Sequence, residues 1–298
     1  MFAASFNPAE AEKLFAGSGH TFAEVLALAD AQKPLPHFDL KKTLVATVAT
    51  AESKVESPNI IAKLEGSDPR LKNEYVLVSA HLDHLGVDAS GTLFAGAMDD
   101  ASGVASVLEI ARSFALNPQR PKRSTLFVIF TGEEKGLLGS RHFAGRPTIP
   151  EAAIVADLNL DMFMPIFALK KLHVQGLAES TLGDEARAVG AEHHIEIAAD
   201  PEPDRNSFIR TDQYSFVQAG VPALAMKFGW TANSPEYKVW REWLAQRYHS
   251  KEDSLSQPVD KEAAAQFDSF LADLTRLVAN NPQRPRYLES SFFRRFEK

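Results

Sequence analysis

The sequence predicts an α/β protein with three α/β/α layers around a mixed, mostly parallel central sheet. Short continuous apolar runs, such as residues 75–80 and 125–130, alternate with segments of helical periodicity, such as residues 103–116. Continuous apolar strands separated by helices are typical of parallel sheets that are covered on both faces. The 298 residues are enough for one large domain.

From the N-terminus, residues 7–31 are predicted as two short helices, and residues 43–50 and 59–64 as strands. Residues 163–170 and 229–248 are expected to be irregular. The remaining predicted elements are strands at 75–80, 125–130, 154–160, 172–175 and 223–228, and helices at 103–116, 137–144, 181–191, 212–219 and 263–278.

Composition excludes several classes of function. The net charge of -7 argues against a nucleic-acid partner, since such proteins usually carry a basic face. The absence of cysteine excludes disulfides, thiolate metal sites and a cysteine nucleophile. No run approaches the roughly 18 apolar residues of a membrane helix, and no signal-peptide pattern begins the chain.

Polar residues follow three of the predicted strands at the point where each strand ends. His81 and Asp83 follow the first, Glu133 and Glu134 the second, and Asp161 the third. In open α/β sheets, ligands bind outside the carboxyl ends of the strands. We therefore expect these side chains to share one rim of the sheet.

Two further groups are candidates for the same rim. Asp99 stands just before a predicted helix and so lies at that rim by topology, whereas His249 lies in a loop before the last helix that could reach it. So many carboxylates and imidazoles would repel one another without a cation. Three carboxylate ligands and one hydroxide would balance the four positive charges of two zinc ions, and His/carboxylate ligation without sulfur suits catalytic zinc.

The sequence resembles the zinc aminopeptidases of the M28 peptidase family. The matching strings, in the family's order, are SAHLDHLG, GAMDDASGVA, TGEEKGLLGS, LNLDM, RTDQYSFVQAGVPAL and RYHSKEDS, within residues 79–254. The resemblance implies a zinc aminopeptidase/phosphorylase-hydrolase-like fold. The C-terminal half of the sequence is similar to a bacterial branch of the family that often carries a protease-associated domain. We find no such domain in this sequence.

The resemblance implies a two-zinc site, for which Co²⁺ or Mn²⁺ are possible substitutes. It implies that Asp99 bridges both metals, that His81 and Asp161 complete one site, and that Glu134 and His249 complete the other. His84 is predicted to be a surface or packing residue.

Two neighbours of the predicted ligands receive other roles. Glu133 is expected to act as general base on a bridging hydroxide. Asp83 is expected to orient His81 or another ligand histidine. The resemblance also predicts a cis peptide between Asp99 and Asp100.

Three residues are candidates for substrate contact: Arg210, Asp212 and Tyr248. Arg210 fits a substrate carboxylate, an oxyanion or a loop salt bridge equally well, and Tyr248 fits either packing or substrate contact. Asp212 matches the family's Ser-Asp-His motif, but Gln213 replaces the histidine, so no role is carried over to that side chain.

The implied function is removal of N-terminal residues from peptides by a metal-dependent hydrolase. A carboxypeptidase, a dipeptidase, an esterase on the same site and a non-catalytic homologue remain alternatives.

We interpret residues 71–298 as the catalytic domain. Residues 1–70 are interpreted as N-terminal helices and strands that pack on this domain and are a remnant of a longer N-terminal region. Family habit implies a secreted or periplasmic protein, and the oligomeric state is open.

Overall fold

The structure is a computed structural model that describes residues 5–297. The chain forms two compact units, Met1–Val55 and Glu56–Lys298. The strand predicted at 59–64 is present as β1 (Ile60–Leu64), and it belongs to the sheet of the second unit. The interpretation of the N-terminal region as a remnant stays a prediction.

The first unit contains the two short helices that the sequence predicts, α1 (Glu12–Phe15) and α2 (Phe22–Asp30). Thr21 begins α2, since its hydroxyl accepts a hydrogen bond from the backbone amide of Glu24 at 3.0 Å. The strand predicted at 43–50 is wrong. That segment is exposed throughout and pairs with no strand among residues 5–297, so it has no ladder for its backbone groups.

A seven-stranded sheet organises the second unit, beside a two-stranded ribbon. The remaining strands are β2 (Tyr75–His81), β3 (Gly86–Val87), β4 (Leu93–Phe94), β5 (Ser124–Phe130), β6 (Ile154–Asn159), β7 (Lys171–Gln175), β8 (Glu196–Ala199) and β9 (Ala223–Phe228). The order in the large sheet is β1-β5-β2-β6-β9-β7-β8.

The sheet is mixed and mostly parallel, as the apolar runs predict. β2 pairs in parallel with β5 on one side and with β6 on the other, and β6 pairs in parallel with β9. β1 is antiparallel to β5, and β7 is antiparallel to β9. Four adjacent strands, β5, β2, β6 and β9, are therefore parallel and end at the same rim.

Helices cover both faces of this sheet, which confirms the three layers. The described α-helices are α3 (Ser102–Leu116), α4 (Leu138–Gly145), α5 (Leu182–Glu192), α6 (Gln213–Gln218), α7 (Pro235–Gln246) and α8 (Lys261–Asn280). Val76 and Val78 of β2 share a core cluster with residues of α3, α5 and α8. Leu77 between them points to the opposite face, where its cluster includes residues of α4 and α6.

The expectation that residues 229–248 are irregular is wrong, because α7 lies within them. Ser234 caps the helix by accepting the Tyr237 amide at 3.1 Å, and Pro235 occupies the first turn. Trp240 anchors the helix in the main core cluster. None of the helices among residues 5–297 combines the length and apolar character that crossing a membrane requires.

Candidate active site

Three neighbouring strands deliver polar side chains to one rim. β2 ends at His81, β5 is followed by Glu133 and Glu134, and β6 is followed by Asp161. Between β5 and the two glutamates, Gly132 adopts φ +68°, and a Cβ there would approach Leu138 to 3.1 Å. The turn therefore needs glycine, and it directs the glutamates into the crevice at the carboxyl ends of the strands.

A first donor set gathers around one oxygen of Asp99. His81 Nε2 lies 3.3 Å from Asp99 Oδ1. Potential ligand atoms of His81, Asp99 and Asp161 all lie within 4.8 Å of one another, and all three residues are buried. This is the group that the sequence predicts for one metal.

A second donor set gathers around the other oxygen of Asp99. His249 Nε2 lies 3.4 Å from Asp99 Oδ2 and 3.5 Å from Glu134 Oε1. His84 joins the same set, with Nδ1 at 3.7 Å from Asp99 Oδ2 and 2.8 Å from Glu134 Oε1. The predicted residues are thus brought together, but so is a histidine that the sequence analysis set aside.

The donor chemistry fits zinc. His81 Nε2 and Glu134 Oε1 are buried and make no hydrogen bond among the described residues, although burying an unpaired polar atom costs free energy. Imidazole nitrogens and carboxylate oxygens without sulfur are the ligands of catalytic zinc. His81, Asp161 and Asp99 are therefore suited to hold one ion, and Asp99, Glu134 and His249 are suited to hold a second.

Asp100, next to Asp99, holds three backbone segments of the site together. Its carboxylate accepts the amides of His81 at 3.2 Å, Gly103 at 3.2 Å and Met162 at 3.1 Å. These amides belong to the end of β2, the start of α3 and the turn after Asp161. The Asp99–Asp100 peptide is cis, as predicted.

Asp253 fixes the Asp99 segment from the other side. Its carboxylate is fully buried and accepts the backbone amides of Met98 at 2.7 Å and Asp99 at 3.0 Å. Gln257 Nε2 donates a further hydrogen bond to it at 2.6 Å. Because Asp253 stands four residues after His249, this contact also ties the two ends of the second donor set together.

Asp83 positions both glutamates and one histidine. Its carboxylate accepts the amides of Glu133 at 2.9 Å and Glu134 at 3.2 Å. His81 Nδ1 lies 2.9 Å from the backbone carbonyl oxygen of Asp83, whereas the carboxylate is 4.0 Å away. The carbonyl, rather than the expected carboxylate, thus fixes which ring nitrogen of His81 faces Asp99.

The charges of the side chains in the two donor sets are strongly unbalanced. Burial alone would lower the pKa of His81, but contact with Asp99 and the nearby Asp100 raise it well above its usual range. Burial would raise the pKa of Asp99, yet hydrogen bonds from His249 and His81 hold it below its ordinary value. Burial raises the pKa of Asp161 despite nearby Lys227. Bound cations remove such conflicts, since they become the largest local charges.

Glu133 lines the same cavity and forms no ion pair with any residue that the structure describes. Burial, followed by the proximity of Asp161, raises its pKa to about 9 when no cation is bound. A carboxyl with such a pKa is protonated at neutral pH. Positive charge in the two donor sets would favour its ionised form.

A cavity of ≈ 450 Å³ opens over both donor sets. Asp99, Glu133, Glu134, Asp161 and His249 line its floor, and the aromatic residues Trp230 and Trp240 contribute to its wall. Its volume is in the range of small-molecule sites.

The predicted substrate contacts divide into two groups. Arg210 and Tyr248 line the cavity, and the Tyr248 ring stacks on His249 with centroids 3.9 Å apart. Asp212 is only 1% exposed and stands outside the described cavity wall. Gln213 bonds the Phe208 carbonyl at 2.7 Å and Thr211 at 2.5 Å, so it braces its own turn.

Sequence reasoning missed His84 and Asp253 as site residues. The string SAHLDHLG contains a second histidine three positions after His81, and that spacing was the available signal for His84. Asp253 stands in the matching string RYHSKEDS, which was the available signal, although its bonded partners lie about 155 residues away in the sequence.

Comparison with known proteins identifies relatives in sequence. The model of Peptidase family M28 matches residues 59–275. Leupeptin-inactivating enzyme 1 of Streptomyces exfoliatus is 28% identical over 235 residues, which are 76% of this chain and 50% of that protein. A "Probable zinc metalloprotease" of Pyrenophora tritici-repentis is 41% identical over 112 residues, 36% of this chain and 24% of its own.

Among solved structures, BSAP, a zinc aminopeptidase from Bacillus subtilis, matches with a TM-score of 0.57 and 23% identity. The match covers 76% of this chain and 51% of that one. At this identity the likeness shows the fold. The chain spans about half or less of the length of these relatives.

Asp253→Asn should lower the free energy of unfolding by about 2–3 kcal/mol. The two carboxylate oxygens of Asp253 each accept one backbone N–H, from Met98 and Asp99, whereas an asparagine side chain would turn its NH₂ group toward one of these donors. Urea unfolding in the presence of a chelator measures this without a contribution from metal. The matched control is Glu252→Gln, whose exposed side chain makes no hydrogen bond or ion pair within residues 5–297. It should stay within about 0.5 kcal/mol of the parent. Equal stability of both variants would contradict the anchoring role.

Proposed function

The chain belongs to peptidase family M28, and from that membership we propose that it is a zinc-dependent hydrolase which removes N-terminal residues from peptides at a two-zinc site. The observation that carries the proposal is the position of Asp99. One of its oxygens faces His81 and the other faces His249, at 3.3 and 3.4 Å. A carboxylate shared in this way between two donor sets is suited to bridge two cations.

The proposed ligands fall into two sets that share Asp99. His81 and Asp161 would hold one ion with Asp99, while Glu134 and His249 would hold the other. When bound, the zinc pair supplies Lewis acidity that polarises the scissile carbonyl and acidifies water at the site. Co²⁺ or Mn²⁺ would satisfy the same donors, since His/carboxylate sites accept several divalent metals.

Glu133 is the proposed general base. It lines the cavity beside Asp99 and Asp161, and the Asp83 carboxylate fixes its backbone amide. Its carboxylate would take the proton from the attacking water and then give it to the departing amine. Tyr248, which is exposed, lines the cavity and stacks on His249, and it would contact the substrate.

Action on the N-terminal residue is supported by the names of several relatives of the same fold. BSAP is named as a zinc aminopeptidase and LapA of Legionella pneumophila as an aminopeptidase. The complete set of donors and the base favours a catalyst over a non-catalytic homologue.

Glu133→Gln should lower kcat on an aminoacyl p-nitroanilide by about 10²–10⁴-fold, because a carboxamide cannot accept the proton from water. Zinc content, measured by elemental analysis, should equal that of the parent. Glu289→Gln, at an exposed position, is the control and should leave both quantities unchanged. Near-normal turnover in Glu133→Gln would contradict the base assignment. Full activity after verified removal of metal would contradict the proposed function itself.

A dipeptidase or carboxypeptidase is a second candidate, and a set of cations in the cavity favours it. Arg141, Arg210 and Lys227 line the cavity, and none of them takes part in an ion pair among the described residues. The charge of Glu202, an acidic residue in the same wall, is by contrast balanced by an ion pair with Arg205 at 3.1 Å. The unpaired cations would suit a substrate carboxylate close to the scissile bond.

The ratio of kcat/KM for a dipeptide to that for its C-terminal amide distinguishes the two candidates. If Lys227 binds the terminal carboxylate, Lys227→Met should lower this ratio by roughly 10-fold or more, since a charged hydrogen bond contributes about 1.5–3 kcal/mol. Changes at the metal site would affect both substrates alike and leave the ratio unchanged. Lys238→Met, at an exposed position, is the control. A higher kcat/KM of the unsubstituted protein for the C-terminal amide than for the dipeptide would contradict the second candidate function.

A further inference from the structure

We propose that His84 is a fourth ligand of the second metal, together with Asp99, Glu134 and His249. This inference rests on the two-metal site of the proposed function and adds a ligand that the sequence analysis assigned to surface or packing. It also makes the two ions unequal, because the first donor set offers three side chains and the second offers four.

Distances within the second set support shared coordination. Tetrahedral zinc with bonds of about 2.0–2.1 Å places neighbouring ligand atoms about 3.3–3.4 Å apart. His84 Nδ1 lies 2.8 Å from Glu134 Oε1 and 3.7 Å from Asp99 Oδ2. The corresponding distances for the expected ligand His249 are 3.5 and 3.4 Å. The two imidazoles thus flank the same pair of oxygens at comparable range.

The burial of the His84 ring favours a ligand over a packing residue. The side chain is 4% exposed, and neither ring nitrogen makes a hydrogen bond among the described residues. The short approach of Nδ1 to Glu134 lacks hydrogen-bond geometry, so the two atoms are arranged as neighbours rather than as donor and acceptor. A packing histidine would leave two buried nitrogens unsatisfied, whereas a ligand uses one of them.

Gly96 makes room for this ring. A Cβ at that position would lie 2.6 Å from His84 Cβ and Cγ and 2.2 Å from the Asp99 carbonyl oxygen. Gly96 also has φ +63°, in the left-handed region that favours glycine. The backbone is therefore shaped to let His84 approach the Asp99 segment.

The four-donor set has a chemical consequence. Closed four-ligand zinc sites are structural, whereas catalytic sites have three protein ligands and an open position. The ion held by Asp99, Glu134, His84 and His249 would be the more firmly bound one. The ion held by His81, Asp99 and Asp161 would retain the open position for substrate.

The test uses Co²⁺ as the probe, in a full-length chain carrying Asp161→Ala so that only the second site is complete. We expect one Co²⁺ per chain with the intense visible absorption of a four-coordinate ion. Adding His84→Ala should change that spectrum and weaken Co²⁺ affinity by more than the roughly 10–100-fold that loss of an outer-shell partner costs. His142→Ala, at an exposed histidine, is the matched control and should change neither.

An unchanged spectrum in His84→Ala would overturn the proposal, whatever happens to affinity, because a packing or outer-shell role leaves coordination intact. If the alanine variant does not fold, as judged by circular dichroism, His84→Gln provides the same comparison with a side chain of similar size. The chain without Asp161→Ala should bind two Co²⁺. Fewer than two would contradict the proposed function and this inference together, whereas two ions with an unchanged His84→Ala spectrum would contradict this inference alone.

Discussion

The structure depends on the placement of Asp99 between two groups of imidazoles and carboxylates. One oxygen of Asp99 faces His81, and the other faces His84, His249 and Glu134, at distances between 3.3 and 3.7 Å for the three histidines. Buried like charges at this density oppose folding unless a positive charge joins them. The opposite pKa shifts of His81 and Asp99 arise from this constraint. Two divalent cations would resolve it and would at the same time supply the chemistry of a hydrolase.

Three other carboxylates stabilise the backbone rather than bind metal. Asp83, Asp100 and Asp253 together accept hydrogen bonds from seven backbone amides, and each amide belongs to a segment that carries a candidate ligand or Glu133. Hydrogen bonds to an ionised acceptor are stronger than neutral ones. The donor sets are therefore held in position by the fold itself, which is the preorganisation that catalysis by electrostatic stabilisation needs.

The sequence predicted the sheet and its functional rim because continuous apolar runs and the polar residues after them are local signals. It did not predict α7, although Ser234 and Pro235 form a helix-start signal. His84 was not predicted as a site residue, although it stands three residues after His81 in the string SAHLDHLG. Asp253 lies in the matching string RYHSKEDS, but its role could not be read from it, since the amides it binds lie about 155 residues away.

Anomalous diffraction at the zinc edge, on crystals of the zinc-loaded chain, tests the central claim most directly. The account predicts two peaks at the carboxyl ends of β2, β5 and β6, one beside His81 and one beside His249, with an oxygen of Asp99 in contact with each. A single peak, or two peaks of which one does not contact Asp99, would contradict it.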